Sequence, residues 1–136
     1  MDAMVKIAFV CVGNAARSQM AAASARQMAD SRVEIISGGT RPAQAVDPIA
    51  AEAMKEVGVD ITGNKPRLIT PRDLGDCDYG ITMGCSADEV CPATLRGDTR
   101  DWGLPDPTGR PLSEVRRIRN SIKRKVAMLL REIEGR

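Results

Sequence analysis

The sequence contains no histidine and only one residue each of tryptophan, tyrosine and phenylalanine. Without histidine there is no Ser/His or Cys/His couple, no histidine-ligated zinc site and no imidazole base, so acid–base chemistry falls to carboxylates. The shortage of aromatic rings argues against a surface that stacks nucleic-acid bases. No apolar run approaches the length of a membrane span, and the N-terminus lacks the pattern of a secretory signal. We therefore expect a cytoplasmic protein.

Net charge and length point to one ordinary domain. The 136 residues carry 20 basic and 18 acidic side chains, a net charge of +2. This balance predicts neither a nucleic acid nor a membrane as a partner, and the local basic excess at 116–131 is interpreted as a solvated helix face. The length suits a single domain over 1–136 with a real core, which we expect to act as a monomer.

Four cysteines are present, Cys11, Cys77, Cys85 and Cys91. In a chain of this size and expected location they indicate reactive or structural thiols rather than a disulfide framework. A metal site is disfavoured because the chain lacks histidine and a C-x-x-C pair. Cys77 precedes a predicted strand and has no matching chemical role, so we interpret it as structural.

The stretch KIAFVCVGNAARSQM, residues 6–20, holds the strongest functional signal. An apolar strand ends at Cys11, a loop of small residues follows, and an alanine-rich helix begins near Arg17. Such a loop turns backbone N–H groups inward beside the positive end of a helix, which creates a cradle for a tetrahedral oxyanion. The predicted oxyanion-binding residues are Val12, Gly13, Asn14, Ala15, Ala16 and Arg17.

Three side chains give this cradle its predicted chemistry. The field of the loop favours the thiolate of Cys11, which becomes a candidate nucleophile. Arg17 presents a planar fork that suits two oxygens of one anion, and Ser18 can donate its hydroxyl to the sulfur. A lone cysteine after a strand is more often a small core residue. The combination C-x5-R-S between a strand and a helix favours the functional interpretation.

The remaining pattern alternates strands and helices. Strands are predicted at 4–10, 33–37, 79–83 and 99–104, and helices at 18–28, 48–57, just after Thr70, and 112–133. This order predicts an α/β fold with an open parallel four-stranded sheet and helices on both faces. Ligands in such sheets bind beyond the carboxyl ends of the strands, which is where Cys11 lies.

A second group of candidate residues follows the third predicted strand. Cys85 and Cys91 lie in TMGCSADEVCP, and they are either structural, or metal ligands, or resolving thiols for a Cys11 intermediate. We favour the resolving role, because one thiolate can displace an adduct from another as a disulfide. In DWGLPDPTG, Asp106 lies between two prolines and is the candidate general acid, with Asp98 and Asp101 as less constrained alternatives.

These motifs together resemble a known family. CVGNAARSQMA resembles the signature of the low-molecular-weight protein tyrosine phosphatases and of the arsenate reductases that share their fold. With SGGT at 37–40, TMGCSADEVCP and DWGLPDPTG, the chain is similar to the thioredoxin-coupled arsenate reductases. The resemblance implies that Cys11 attacks arsenate, that Asp106 assists departure of hydroxide, and that Cys85 and then Cys91 form successive disulfides that thioredoxin reduces.

The resemblance leaves several points open. A tyrosine phosphatase would use Cys11, Arg17, Ser18 and Asp106 without the other thiols, and a non-catalytic redox or oxyanion sensor could use the same loop. The few aromatic residues, and Thr108 and Gly109 after the Asp-Pro, favour a small inorganic substrate such as arsenate or phosphate. The reductant is thioredoxin or a low-molecular-weight thiol, and no cofactor is expected to bind tightly.

The resemblance also implies a monovalent cation near Asn14. Ser37 and Thr62 are compatible with such a site. Ala22, however, stands where related reductases often carry a cation-binding glutamate.

Overall fold

The structure is a computed structural model, and it describes residues 4–83 and 98–135. Four strands and four helices lie along this part of the chain. In order they are β1 (Val5–Cys11), α1 (Arg17–Met28), β2 (Val33–Gly39), α2 (Pro48–Lys55), α3 (Pro71–Gly75), β3 (Tyr79–Thr82), β4 (Asp98–Asp101) and α4 (Leu112–Glu134).

All strand pairs in the sheet are parallel, and the strand order is β2-β1-β3-β4. Cys11 at the end of β1 pairs with Gly39, and Val10 pairs on the other side with Thr82. Since the chain moves outward from β1 in both directions, the order reverses at β1, and a crevice forms beyond its carboxyl end. The predicted four-stranded open parallel sheet is confirmed.

The two faces of the sheet carry separate cores. Ile7 and Phe9 point to the side of α1, α2 and α4, whereas Ala8 and Val10 pack with Ile69, Leu74 and Cys77 on the side of α3. This alternation follows from the two-residue period of a strand, and apolar residues on both faces are typical of a buried parallel strand. Helices therefore cover both faces, as the sequence predicted.

Element ends differ slightly from the sequence predictions. α2 begins as expected, with Asp47 accepting a hydrogen bond from the N–H of Ile49 and Pro48 in the first turn. It ends at Lys55 rather than at 57, because the amides of Val57 and Gly58 bond three residues back and tighten the last turn. β4 ends at Asp101, three residues earlier than predicted.

Cys77 has the structural role that its sequence position suggested. The side chain is buried, and its Sγ donates a hydrogen bond to the carbonyl oxygen of Asp73 at 3.1 Å. Burial raises the pKa of the Cys77 thiol to about 11, despite the nearby positive charge of Lys6. The thiol therefore stays protonated at neutral pH, which makes it a poor nucleophile.

α4 packs its apolar stripe against α1 and α2 and leaves most of its basic side chains in solvent. The exception is Arg119, which is buried and donates to the carbonyl oxygen of Ala53 at 2.8 Å. Among the helices that the structure describes, none has the length and apolar character needed to cross a membrane.

We predict an acid-sensitive contribution to stability from Glu56, which joins α2 to α4. Hydrogen bonds from Arg116 and Arg119, at 2.6 to 3.0 Å, lower the pKa of this carboxyl from 4.5 to about 2. Because the folded-state pKa is depressed, the stabilisation is present above pH 4.5 and is lost as the pH falls toward 2. Urea unfolding of Glu56→Gln should show a smaller loss of stability over this range than wild type. Glu134→Gln, at an exposed position, should keep the wild-type profile.

Candidate active site

The loop at residues 12–16, hereafter the cradle loop, is held by the segment 40–47 that follows β2. Amides of this segment donate to the carbonyls of Cys11 and the cradle loop, so those oxygens point away from the crevice. None of these bonds uses an N–H group of the cradle loop. The N–H of Asn14 contacts the Cys11 sulfur, and the other loop amides are available to a ligand where α1 begins without a side-chain cap. The bonds are Thr40 to Cys11 at 3.3 Å, Arg41 to Val12 at 2.8 Å, Ala43 to Gly13 at 2.9 Å and Asp47 to Ala15 at 2.9 Å.

Cys11 lies at the rim of this cradle with its side chain 3% exposed. Its Sγ is 2.9 Å from the Oγ of Ser18 and accepts a hydrogen bond from the N–H of Asn14 at 3.2 Å. The N–H of Asn14 places a donor hydrogen against the sulfur, and the hydroxyl of Ser18 can do the same. The structure thus brings together Cys11 and Ser18 as the sequence predicted.

Asn14 organises the polar network behind the sulfur. It is fully buried with a φ of 51°, and its Nδ2 donates to the Oγ of Ser18 at 2.7 Å. That bond leaves the hydroxyl hydrogen of Ser18 free to point at Cys11. The Oδ1 of Asn14 accepts from the Nε2 of Gln19 at 3.2 Å and from the backbone N–H of Arg67 at 3.0 Å.

Gln19 and Arg67 were missed by the sequence analysis. Gln19 also donates to the backbone oxygen of Asn14 at 3.0 Å and accepts from Asn64 at 3.2 Å. A buried glutamine one turn after the cradle loop could have suggested this role, since buried amides require partners. No local signal pointed to Arg67, because its contribution is a backbone amide from a distant loop.

Arg17 is buried and connects three parts of the site. Its Nη1 donates to the carbonyl oxygen of Met83 at 2.5 Å and to that of Leu104 at 3.0 Å. Met83 follows β3, and Leu104 lies in the loop that carries Asp106. The guanidinium therefore holds both segments beside the cradle while it lines the same cleft as Cys11.

Asp106 faces this cleft, which has a volume of about 700 Å³. Its Oδ1 accepts hydrogen bonds from the N–H and the Oγ1 of Thr108, at 3.0 and 2.8 Å. Partial burial raises the pKa of Asp106, but the bonds from Thr108 and the charges of Arg17 and Arg110 outweigh burial, so the pKa lies below its ordinary value of 3.8. The carboxyl is ionised at neutral pH when the cleft holds no anion.

The alternative acids are occupied elsewhere. Asp98 pairs with Arg100 at 3.0 Å within β4, and Asp101 accepts from the Oγ1 of Thr82 at 3.0 Å. Neither residue lines the cleft. Of the three carboxylates considered from the sequence, the structure places only Asp106 beside Cys11.

The wall of the cleft is built from small and aliphatic side chains. Ala43, Ala45 and Val46 line it, and none of its described lining residues is aromatic. Phe9 and Trp102 pack on each other with ring centroids 5.8 Å apart, and Tyr79 is buried beneath Arg100. All three aromatic residues of the sequence are thus engaged away from the cleft.

Two sequence predictions are not tested by this geometry. Cys85 and Cys91 lie outside the described residues, and Met83 is the last described position before them. The monovalent cation near Asn14 also stays a prediction. Thr62, one of its suggested ligands, donates its hydroxyl to Asp60.

Known proteins are similar to this chain over nearly its whole length. The family model described as low molecular weight phosphotyrosine protein phosphatase matches residues 6–136. A proposed arsenate reductase of Halobacterium salinarum is 42% identical over an alignment of 136 positions. The alignment covers 96% of this chain and 94% of the relative.

Two solved structures are also similar. An arsenate reductase in the phosphate binding state has a TM-score of 0.86 at 33% identity, with 96% of this chain and 99% of the other covered. A Corynebacterium glutamicum thioredoxin-dependent arsenate reductase has a TM-score of 0.82 at 33% identity, with 98% of this chain and 63% of the other covered. The chain therefore belongs to the low molecular weight phosphotyrosine protein phosphatase family, in its arsenate reductase branch.

Proposed function

We propose that this protein reduces arsenate to arsenite with Cys11 as the nucleophile. The observation that carries the proposal is the position of Cys11 in an oxyanion cradle whose described walls contain no aromatic ring. A phosphotyrosine ring would find no stacking partner there, whereas a tetrahedral inorganic anion needs only the cradle amides and Arg17. The arsenate reductases among the relatives support the same substrate.

In the first proposed step, the thiolate of Cys11 attacks arsenic and a sulfur–arsenic bond forms. The bond from arsenic to one arsenate hydroxyl breaks, and that hydroxyl takes up a proton and leaves as water. The cradle amides and Arg17 stabilise the charge that develops on the other oxygens. Ser18 and the N–H of Asn14, which contact the sulfur at 2.9 and 3.2 Å, hold the nucleophile in place.

Asp106 is the proposed donor of that proton, although its pKa is lowered in the unliganded cleft. A doubly charged oxyanion that enters the cleft places like charge near the carboxylate. It also engages Arg17, whose charge lowers the pKa of Asp106 in the unliganded cleft. Both effects raise the pKa of Asp106 in the complex. We expect the carboxyl to take up its proton together with the substrate and then to pass it to the leaving oxygen.

The proposed second stage is a disulfide relay through Cys85 and Cys91. The Cys85 thiolate attacks the Cys11 sulfur, the sulfur–arsenic bond breaks, and its electron pair stays on arsenic, which leaves as arsenite. Cys91 then attacks Cys85 and releases the Cys11 thiolate. A dithiol reductant supplies two electrons to the Cys85–Cys91 disulfide, and the thioredoxin-dependent relative supports thioredoxin in this role.

The position of Met83, two residues before Cys85, supports this relay. The N–H of Met83 donates to the carbonyl oxygen of Val10 at 3.1 Å, directly beside Cys11. Cys85 follows Met83 by two residues, and two residues of chain span at most about 7 Å.

We expect the protein to work in the cytoplasm, where thiols are kept reduced.

We predict arsenate-dependent oxidation of NADPH when the protein is coupled to thioredoxin and thioredoxin reductase. Cys11→Ser should abolish it, because the serine hydroxyl is not ionised at neutral pH. Cys85→Ser should block arsenite release, and Cys91→Ser should allow no more than one turnover per enzyme. Cys77→Ala serves as the thiol control and should keep multiple turnover, because Cys77 packs on the opposite face of the sheet.

Three outcomes would change the assignment. Full multiple turnover by Cys85→Ser and Cys91→Ser would remove the relay. Hydrolysis of phosphotyrosine without arsenate reduction would identify a phosphatase that uses Cys11, Arg17 and Asp106 for a phosphoenzyme. Binding of sulfate without either activity would indicate an oxyanion sensor.

A further inference from the structure

A second, smaller cavity lies beside the outer edge of β2, and none of its described lining residues lines the active-site cleft. Its volume is about 200 Å³. The residues that line it come from α1, from β2 and from the loop before α3. They are Gln19, Arg26, Ile36, Ser37, Asn64, Lys65 and Arg67.

The charged side chains of this cavity are all positive. Arg26, Lys65 and Arg67 line it together, and no carboxylate is among the described lining residues. Arg67 pairs with Asp73 at 3.0 Å, while Arg26 donates to the carbonyl oxygen of Ile35 at 3.1 Å. One carboxylate therefore offsets three cations, and the cavity has a positive potential that attracts anions.

Two neutral polar residues complete the lining. Gln19 and Ser37 are only 3% and 7% exposed, so both are built into the wall of the cavity. The Nε2 of Gln19 already donates to Asn14, so the hydroxyl of Ser37 is the neutral donor that is offered to a ligand. Hydroxyl groups and guanidinium forks bind sulfate and phosphate oxygens in proteins. We propose that this cavity is a second anion site, which binds a small doubly charged oxyanion such as sulfate or phosphate.

The volume of the cavity limits the size of this ligand. About 200 Å³ corresponds to roughly seven waters of the liquid. One tetrahedral oxyanion with part of its hydration shell fits this space. The base and sugar of a nucleotide would have to extend into solvent, where the described lining provides no contact.

The second site is connected to the nucleophile by hydrogen bonds. The backbone N–H of Arg67 and the Nε2 of Gln19 both donate to the Oδ1 of Asn14. Asn14 donates through its Nδ2 to Ser18, and Ser18 contacts Cys11. An anion bound to the guanidinium of Arg67 therefore restrains the residue whose backbone N–H holds Asn14 in place. Occupation of the second site should thus strengthen oxyanion binding in the cradle, and the coupling must be reciprocal.

The test uses protein in which Cys11 has been alkylated with iodoacetamide, which blocks the cradle. Sulfate is titrated against sodium chloride at constant ionic strength, and binding is followed by calorimetry and by amide chemical shifts of Arg67 and Asn14. We expect one sulfate per chain, with phosphate binding at the same place. Arg26→Gln and Lys65→Gln should each weaken binding about tenfold, the loss expected for one charged hydrogen bond.

Two controls separate charge from folding. Arg124→Gln removes one positive charge from an exposed position on α4 and should bind sulfate as wild type does. Lys65 is exposed, so its replacement leaves the core intact, and Arg26→Lys keeps the charge if Arg26→Gln fails to fold. The alkylated protein has no active Cys11, so the sulfate affinity of the second site is measured independently of whether the enzyme reduces arsenate.

The proposal is overturned by any of three results. The first is the absence of sulfate and phosphate binding in the alkylated protein. The second is equal affinity in wild type and in Lys65→Gln. The third is stabilisation by potassium over sodium at equal chloride concentration with no effect of sulfate, which would assign the cavity to a monovalent cation instead.

Discussion

Replacement of Gly39 by alanine should reduce arsenate reduction at least about 100-fold and should weaken sulfate binding in the cradle. A Cβ at this position would lie 2.4 Å from the carbonyl oxygen of Val12 and 2.9 Å from the backbone nitrogen of Asn14. Neither backbone atom can move without displacing the cradle loop, and a displacement of about 1 Å in a reacting geometry costs about 100-fold in rate. Steady-state kinetics and sulfate titration measure the two effects.

The matched control for this substitution is Gly63→Ala. Gly63 is exposed, and a Cβ there would meet no atom within 4 Å. This variant should keep wild-type activity, since it adds the same methyl group without a contact. Wild-type kcat/KM in a folded Gly39→Ala protein would show that the close approach of β2 does not set the cradle geometry.

Arg17→Lys should lower kcat/KM for arsenate by about 100- to 1000-fold, the loss typical of removing one preorganised donor to a developing oxyanion. Lysine keeps the charge, but its ammonium cannot bond to the carbonyls of Met83 and Leu104 and still present a two-pronged fork to an anion. Both the anion contact and the attachment of the Asp106 loop are expected to weaken. The measurement is kcat/KM together with the sulfate dissociation constant of each protein.

The control is the same exchange at an exposed arginine, Arg72→Lys in α3, which should behave as wild type. Circular dichroism of both variants separates loss of chemistry from loss of fold. An Arg17→Lys enzyme within threefold of wild type would mean that a point charge is enough, and that the bonds to Met83 and Leu104 have no part in catalysis.

Much of this protein could be predicted from short stretches of sequence. The apolar run before Cys11, the small residues after it and the alanine-rich helix predicted the strand, the cradle loop and α1, because each depends on neighbours a few residues apart. The helix starts after Asp47 and Thr70 were likewise predicted from local sequence, and in the structure both side chains cap their helices. The end of β4 was not, since pairing with β3 rather than its own residues determines it.

The sequence alone determined the chemical inventory: a nucleophilic thiol in an anion loop, carboxylates as the only acids, and too few aromatic rings for a stacking site. Tertiary structure decided which groups meet. Gly39 lies against the cradle loop, Arg67 supplies an amide to Asn14, and Arg17 reaches the carbonyl of Leu104. These contacts join residues from 25 to 87 positions apart through backbone atoms that every residue possesses. No residue type marks such a contact in the sequence, and only the folded chain shows it.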